Sequence, residues 1–259
     1  MKAVVAMASP KRGKLARLDA GGVHYRALNE QIHEAIRNGV TEIVLDNVCG
    51  QRYIGNALSA GVRITINGTP GNDLAAFMSG ATVIVNGNAQ DALGNTMNSG
   101  LVVVHGNAGD LAGFSMRGGR IFIRGNAGYR VGIHQKAYEN WFPVVMIGGR
   151  VGDFLGEYMA GGTMVVLGLD RRKGEPVAGG YLGTGMHGGE MFIRGTVEKW
   201  QLGREVGMAP LTGGDWERLS GLLDAFCTEF GLKPGGFKPS EFVRLTPVSL
   251  RPYGRLYAY

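Results

Sequence analysis

A glycine returns at a fixed interval through the middle of this chain, and that interval limits what the chain can fold into. The segments GVRITING (61–68), ATVIVNG (81–87), GLVVVHG (100–106) and GRIFIRG (119–125) end at Gly68, Gly87, Gly106 and Gly125, 19 residues apart each time. The pattern continues at VVMIG, GTMVVLG and GEMFIRG, ending at Gly148, Gly168 and Gly195. Those spacings of 23, 20 and 27 read as 19 with insertions of 4, 1 and 8. A second landmark keeps step: Met78, Met97, Met116, Met159 and Met186 each stand nine residues before the closing glycine of their repeat. Interlocked spacings of this kind mark a repeat architecture.

Counting back from each closing glycine sorts the residues into columns. Two back stand Ile66, Val85, Val104, Ile123, Met146, Val166 and Ile193; four back stand Ile64, Val83, Val102, Ile121, Val144, Met164 and Met191. Alternate positions of a strand share a face, so both columns point inward. One back stand Asn67, Asn86, His105, Arg124, Ile147, Leu167 and Arg194, mostly polar and so expected to point out. A 19-residue unit is too short for a propeller blade, and no L-x-x-L-x-L signature is present. The expected fold is therefore all-β: a single-stranded right-handed parallel β-helix of about seven coils. Successive strands would stack at about 4.8 Å, making a rod on the order of 30 Å long. Glycine, 45 of 259 residues, is expected at corners that turn sharply or need positive φ, and methionine as an internal ladder.

The flanks read differently. In HYRALNEQIHEAIRNG (24–39), Tyr25, Leu28, Ile32, Ala35 and Ile36 recur at helical spacing before Gly39. Segment 41–55 reads as a degenerate first coil. Thr212 begins a second helix whose face is Leu219, Leu222, Leu223 and Phe226, followed by an extended, Pro-interrupted tail. The expected division is residues 1–40 as arm and capping helix, 41–200 as β-helix, and 201–259 as helix and tail. The helical flanks would cap the open ends of the solenoid.

Net charge is +6, without a dense basic block interleaved with aromatics, so no nucleic-acid partner is expected. No apolar run reaches membrane-spanning length and the N-terminus lacks a signal-peptide pattern, so no membrane partner is expected and the cytoplasm is the expected location. Cys49 and Cys227 suit neither a disulfide framework nor a four-thiolate cluster and are expected to be free and buried. The histidines show no metal-ligand spacing; His105 is expected at the surface, and Asp91, Asp110 and Asp153 as turn residues. GNAG at 106–109 and 125–128 lacks a phosphate-binding fingerprint and falls in register with the coil. No catalytic, cofactor-binding or metal-binding residue is expected on this chain.

One column breaks the pattern. Three before each closing glycine stand Thr65, Ile84, Val103, Phe122, Val145, Val165 and Phe192, outward by alternation yet six of seven apolar. Phe122, Val145, Val165 and Phe192 are thus interface candidates, to be covered by the chain's own termini or by a partner subunit. Two insertions are further candidates: 133–143, with Tyr138, Trp141 and Phe142, and 169–180, with Arg171, Arg172 and Lys173.

The repeat, together with HYRALNEQI (24–32), NVCGQRYIG (47–55), GNAGDLAG (106–113) and PVSLRPYGRLYAY (247–259), resembles the C-terminal GXGXG β-helix domain of the glutamate synthase large chain in its stand-alone form. Related coils occur in N-methylglutamate synthase and in one subunit of formylmethanofuran dehydrogenases and formyltransferase/hydrolase complexes. The resemblance implies a subunit without an active site. It would brace a glutaminase-type amidotransferase subunit and an FMN-binding synthase subunit around an ammonia tunnel, with FMN and an iron–sulfur cluster on those partners. An independent solenoid binding protein is the alternative of another class.

Overall fold

The computed structural model describes residues 13–172 and 174–249. Strand β1 (Lys14–Asp19) and helix α1 (Tyr25–Arg37) precede β2 (Val40–Cys49). Seven repeat strands follow: β3 (Arg63–Thr69), β4 (Ser79–Asn86), β5 (Ser99–Val104), β6 (Arg120–Ile123), β7 (Val144–Ile147), β8 (Ala160–Val166) and β9 (Gly188–Arg194). Then come β10 (Val206–Pro210), α2 (Gly213–Glu229) and β11 (Phe242–Pro247). All eleven strands form one sheet, ordered β1 to β9, then β11, then β10. The pairs from β1 to β9 are parallel. The chain is a parallel β-solenoid; six circuits join β3 to β9, about six turns against the seven expected.

Only one wall of the tube is sheet. Ile64, Val83, Val102 and Ile121 stack inside it beside Ile66, Val85, Val104 and Ile123, all fully buried in one core. A second wall is a ribbon of turns. Residues five, three and one before each methionine have positive φ, as at Ala92, Gly94 and Thr96, and at Leu111, Gly113 and Ser115. The middle residue faces the tube: a Cβ at Gly94 would stand 2.3 Å from Cδ1 of Ile121. The outer two turn their side chains away from it.

At the remaining corner, side-chain oxygens carry the coil-to-coil bonds. Oδ1 of Asn88, Asn107 and Asn126 accepts from the backbone N–H of Asn107, Asn126 and Arg150, one coil on, at 2.8 Å. Oδ1 of Asp91, Asp110 and Asp153 accepts likewise from Asp110, Tyr129 and Gly180. Here glycine answers to close approach: φ is not positive at Gly109, but a Cβ there would lie 2.1 Å from Oδ1 of Asp91.

The spacing misplaces one coil by a residue. Ile121 pairs with Val145, Phe122 with Met146 and Ile123 with Ile147. The closing glycine of that coil is Gly149, whose N–H donates to Gly125 O and whose carbonyl accepts from Gly168. The intervals are then 24 and 19, so all five extra residues lie between Lys136 and Val144. Val145 therefore points into the tube, not outward, and Met146 takes its place on the outer face. The Gly148–Gly149 doublet offers two ends, and only the hydrogen-bond ladder chooses between them.

The methionine column is fully buried, and its missing member is Gln135. Its backbone carbonyl accepts from Ala160 as that of Met97 does from Arg117. Nε2 donates to Pro143 O at 3.3 Å and Gly161 O at 3.5 Å, holding the five-residue insertion, while Oε1 is buried without a partner.

Leu28 and Ile32 of α1 join the core at the N-terminal end. At the other end β11 runs antiparallel to β9, and Leu245 enters the tube. The expected N-terminal arm includes residues 1–12, which lie outside the described residues; Lys14–Asp19 of that arm is a strand.

Candidate docking surfaces

The outward apolar column is closed by the chain itself. Val103, Phe122, Met146, Val165 and Phe192 are at most 1% exposed. Leu219, Leu223 and Phe226 of α2, with Phe242 of β11, pack against Phe122, Met146, Val165 and Phe192. The rings of Phe122 and Phe226 meet edge to face at 5.8 Å, a favourable geometry for their quadrupoles. Of the strip's candidates, Phe122, Val165 and Phe192 are thus buried beneath α2, and Val145 lies inside the tube. None of the four is presented to a partner. His105 is exposed, with its ring against Phe230 at 5.2 Å.

A network of charges pins this cover. Glu190 on β9 binds Arg218 of α2 and Arg244 of β11, at 3.2 and 2.9 Å. Asp215, near the start of α2, binds Arg218 at 2.8 Å and Arg244 at 3.4 Å. Burial acts to raise the Asp215 carboxyl, but hydrogen bonds from the Thr212 backbone and hydroxyl and from Arg218, with the charge of Arg244, outweigh it and hold it below the usual range. Beside this network runs a groove of about 740 Å3. Its walls include Phe142, Phe192, Leu222, Arg218 and Arg244, and its size falls within the range of ligand and side-chain pockets.

The first insertion stands over the groove. Tyr138 and Trp141 exchange backbone hydrogen bonds of 3.1 and 2.9 Å, forming a tight hairpin. Tyr138, Trp141 and Phe142 are 57%, 48% and 62% exposed. In the second insertion Arg171 and Arg172 are exposed and Lys173 lies outside the described residues. The loop is tied to earlier coils by Arg124–Asp170 and Arg150–Glu175. A Cβ on Gly195 would sit 2.6 Å from Nη1 of Arg171, so that guanidinium lies along the next coil.

A third surface escaped the sequence reading. The outer columns of the turn ribbon carry two stacks near the C-terminal end. Phe114 meets His134 at 6.1 Å, and His134 stacks on Tyr158 at 5.2 Å. Arg130 sits over Phe154 at 4.8 Å, and Phe154 stacks on Tyr181 at 4.8 Å. Tyr158 and Tyr181 are 47% and 58% exposed. Counting one and five back from Met159 and Met186 would have shown Tyr158, Phe154 and Tyr181, but His134 and Arg130 hold the same places before Gln135, where no methionine marks the coil.

Cys49 is exposed, contrary to expectation, because it ends β2 on the outer face; Cys227 is on the buried face of α2, and burial raises its thiol pKa, helped by Asp224. Among the described residues no group of three or more His, Cys, Asp or Glu is placed to hold a metal ion, and no helix is long and apolar enough to cross a membrane.

The fold and surfaces define the class: a β-solenoid with its apolar flank sealed internally and its exposed aromatics gathered at a few places. The model of the GXGXG motif family matches residues 25–235, and the chain belongs to that family. An uncharacterized protein of Methanocaldococcus jannaschii is 47% identical over 249 residues, covering 93% of this chain and 95% of the relative. The X-ray structure of the formyltransferase/hydrolase complex of Methylorubrum extorquens with methylofuran contains a similar chain. It matches with a TM-score of 0.58 and 20% identity over 88% of each chain, a similarity of fold.

Proposed function

We propose that this chain is a cytoplasmic, non-catalytic assembly subunit of a multi-subunit, glutamate synthase-like oxidoreductase. It braces a glutaminase-type amidotransferase subunit and an FMN-binding synthase subunit, which carry the FMN and the iron–sulfur cluster. The observation that carries the assembly role is the placement of large exposed aromatics. Most of them stand on one insertion (Tyr138, Trp141, Phe142) or along the turn ribbon (Tyr53, Phe77, Tyr158, Tyr181), with Tyr129 and Trp200 elsewhere, while the outward apolar strip is already covered. Aromatics so grouped are characteristic of protein–protein contacts. Membership in the GXGXG family, with the segments at 24–32 and 47–55, supports the glutamate synthase-type partners.

The test is to purify the tagged chain from its native host under gentle conditions. The expected preparation contains two further subunits, shows a flavin spectrum and forms glutamate from glutamine and 2-oxoglutarate. A second reading, a subunit of a formyl-transfer complex, is favoured by the fold similarity to the Methylorubrum complex. A flavin-free preparation that transfers or hydrolyses formyl groups would establish that reading instead. Incorporation of methylamine in place of ammonia, giving N-methylglutamate, would indicate an N-methylglutamate synthase. A chain that purifies alone would refute all three.

A further inference from the structure

The backbone N–H of Arg117 donates to Met97 O and that of Lys136 to Met116 O, so these two cations occupy one column in successive coils. Arg120 follows Arg117 across the Gly118–Gly119 corner. All three are exposed, and among the described residues none of them enters an ion pair. Glu139 in the insertion and Glu229, which shares a groove with Arg120, make none with them either. Like charges facing each other across a ladder repel, so this grouping favours an anion from outside the chain.

Trp141 joins the two halves of the surface. A Cβ on Gly118 would lie 3.2 Å from Cβ of Trp141, which places the tryptophan over the corner between Arg117 and Arg120. The next residue, Phe142, opens on the other side into the groove walled by Phe192 and Leu222. There Arg218 and Arg244 are already matched by Glu190 and Asp215. That groove therefore suits an apolar side chain, whereas the unmatched cations suit carboxylates.

We propose that the 138–142 hairpin and its flanks dock an extended acidic–apolar segment of a partner polypeptide. Carboxylates would meet Arg117, Arg120 and Lys136, and an aromatic or branched aliphatic side chain would enter the groove beside Phe142. Three coil steps separate Arg117 from Gly189, about 14 Å at the strand spacing, or four to five residues of extended chain. The occupant is a polypeptide and not a nucleic acid, since a phosphate backbone would find no unmatched charge in the groove. The site deepens the subunit reading and rests on it.

The test uses the full chain, tagged in its native host, with Tyr138 replaced by the photo-cross-linker p-benzoylphenylalanine. The cross-linked peptide is expected to come from a stoichiometric partner and to hold at least two carboxylates within five residues of a large apolar one. Arg117→Glu combined with Lys136→Glu is expected to cut the recovered partner at least tenfold, with circular dichroism and Tm unchanged. A cross-link to a segment without carboxylates, to RNA or to a second copy overturns the proposal. So does full recovery of the partner by the charge-reversed chain, or a partner that co-purifies without cross-linking. A wild-type chain that brings down no partner instead removes the subunit reading beneath it.

Discussion

Gln135 is the residue that most clearly departs from its column. Where its neighbours along the tube place thioethers, it buries an amide whose Nε2 bonds are long and whose Oε1 has no donor. An unpaired buried acceptor costs roughly 1–3 kcal/mol, more than two weak hydrogen bonds return. Gln135→Met is expected to complete the ladder and stabilise the chain by about 1 kcal/mol, a rise in Tm of about 2–4 °C. Scanning calorimetry checks this; a fall in Tm would mean that the amide's hold on Pro143 and Gly161 outweighs its orphaned oxygen. The two cysteines provide a second residue-scale prediction. Cys49 lies in solvent, whereas Cys227 is buried with its thiol pKa raised. Titration of the native chain with a thiol reagent is expected to release one equivalent promptly and the second only on unfolding.

Among the elements, α2 has the largest consequence. Phe226→Ala removes its anchor against Phe122 and is expected to cost about 3–5 kcal/mol. It should also raise binding of a hydrophobic dye as the strip beneath is uncovered. Acid acts on the same cover. The Asp215 carboxyl lies below its usual range in the folded chain, so its contribution is complete above the unfolded value of about 3.9 and is lost as pH falls through the folded value. Glu241 behaves alike: burial opposes ionisation, but hydrogen bonds from Arg194 and Lys238 prevail. Wild-type Tm is therefore expected to drop more steeply than that of Asp215→Asn between about pH 5 and 2. Parallel profiles would show that the network does not set acid stability. Sequence legibility follows the same divide. The inner columns were legible because burial demands apolar side chains every second residue. The register of β7 was not, since a glycine doublet closes a coil equally well at either residue. Nor was the cover: an apolar outward column predicts a lid without saying whose, and the apolar face of α2 does not say which surface it meets. The insertion's aromatics were legible as candidates, while the neighbouring cations required the ladder to bring Lys136 onto Arg117.

The whole molecule behaves as a stack in which each coil meets chiefly its neighbours. Such arrays tolerate a change in the number of units. Duplicating residues 88–106, one complete 19-residue coil with its own Asn88, Asp91 and Met97, is expected to preserve the fold and lengthen the rod by about 4.8 Å. Small-angle scattering and circular dichroism check this; a molten or aggregated product would show that the terminal caps cannot accept an added turn. Because α2 spans β5 to β9, a duplication nearer the middle of that span would displace its side chains from the strip, and is expected to be less well tolerated.

The helix that covers the strip has a further consequence in time. A ribosome delivers Phe122, Met146, Val165 and Phe192 well before Gly213–Glu229. During synthesis the nearly complete tube therefore presents a greasy flank to the cell, with the residues that will hide it still unmade. Messages cut short in that interval would yield sticky fragments, and survival of the nascent chain then depends on how quickly translation proceeds or on what shields it meanwhile.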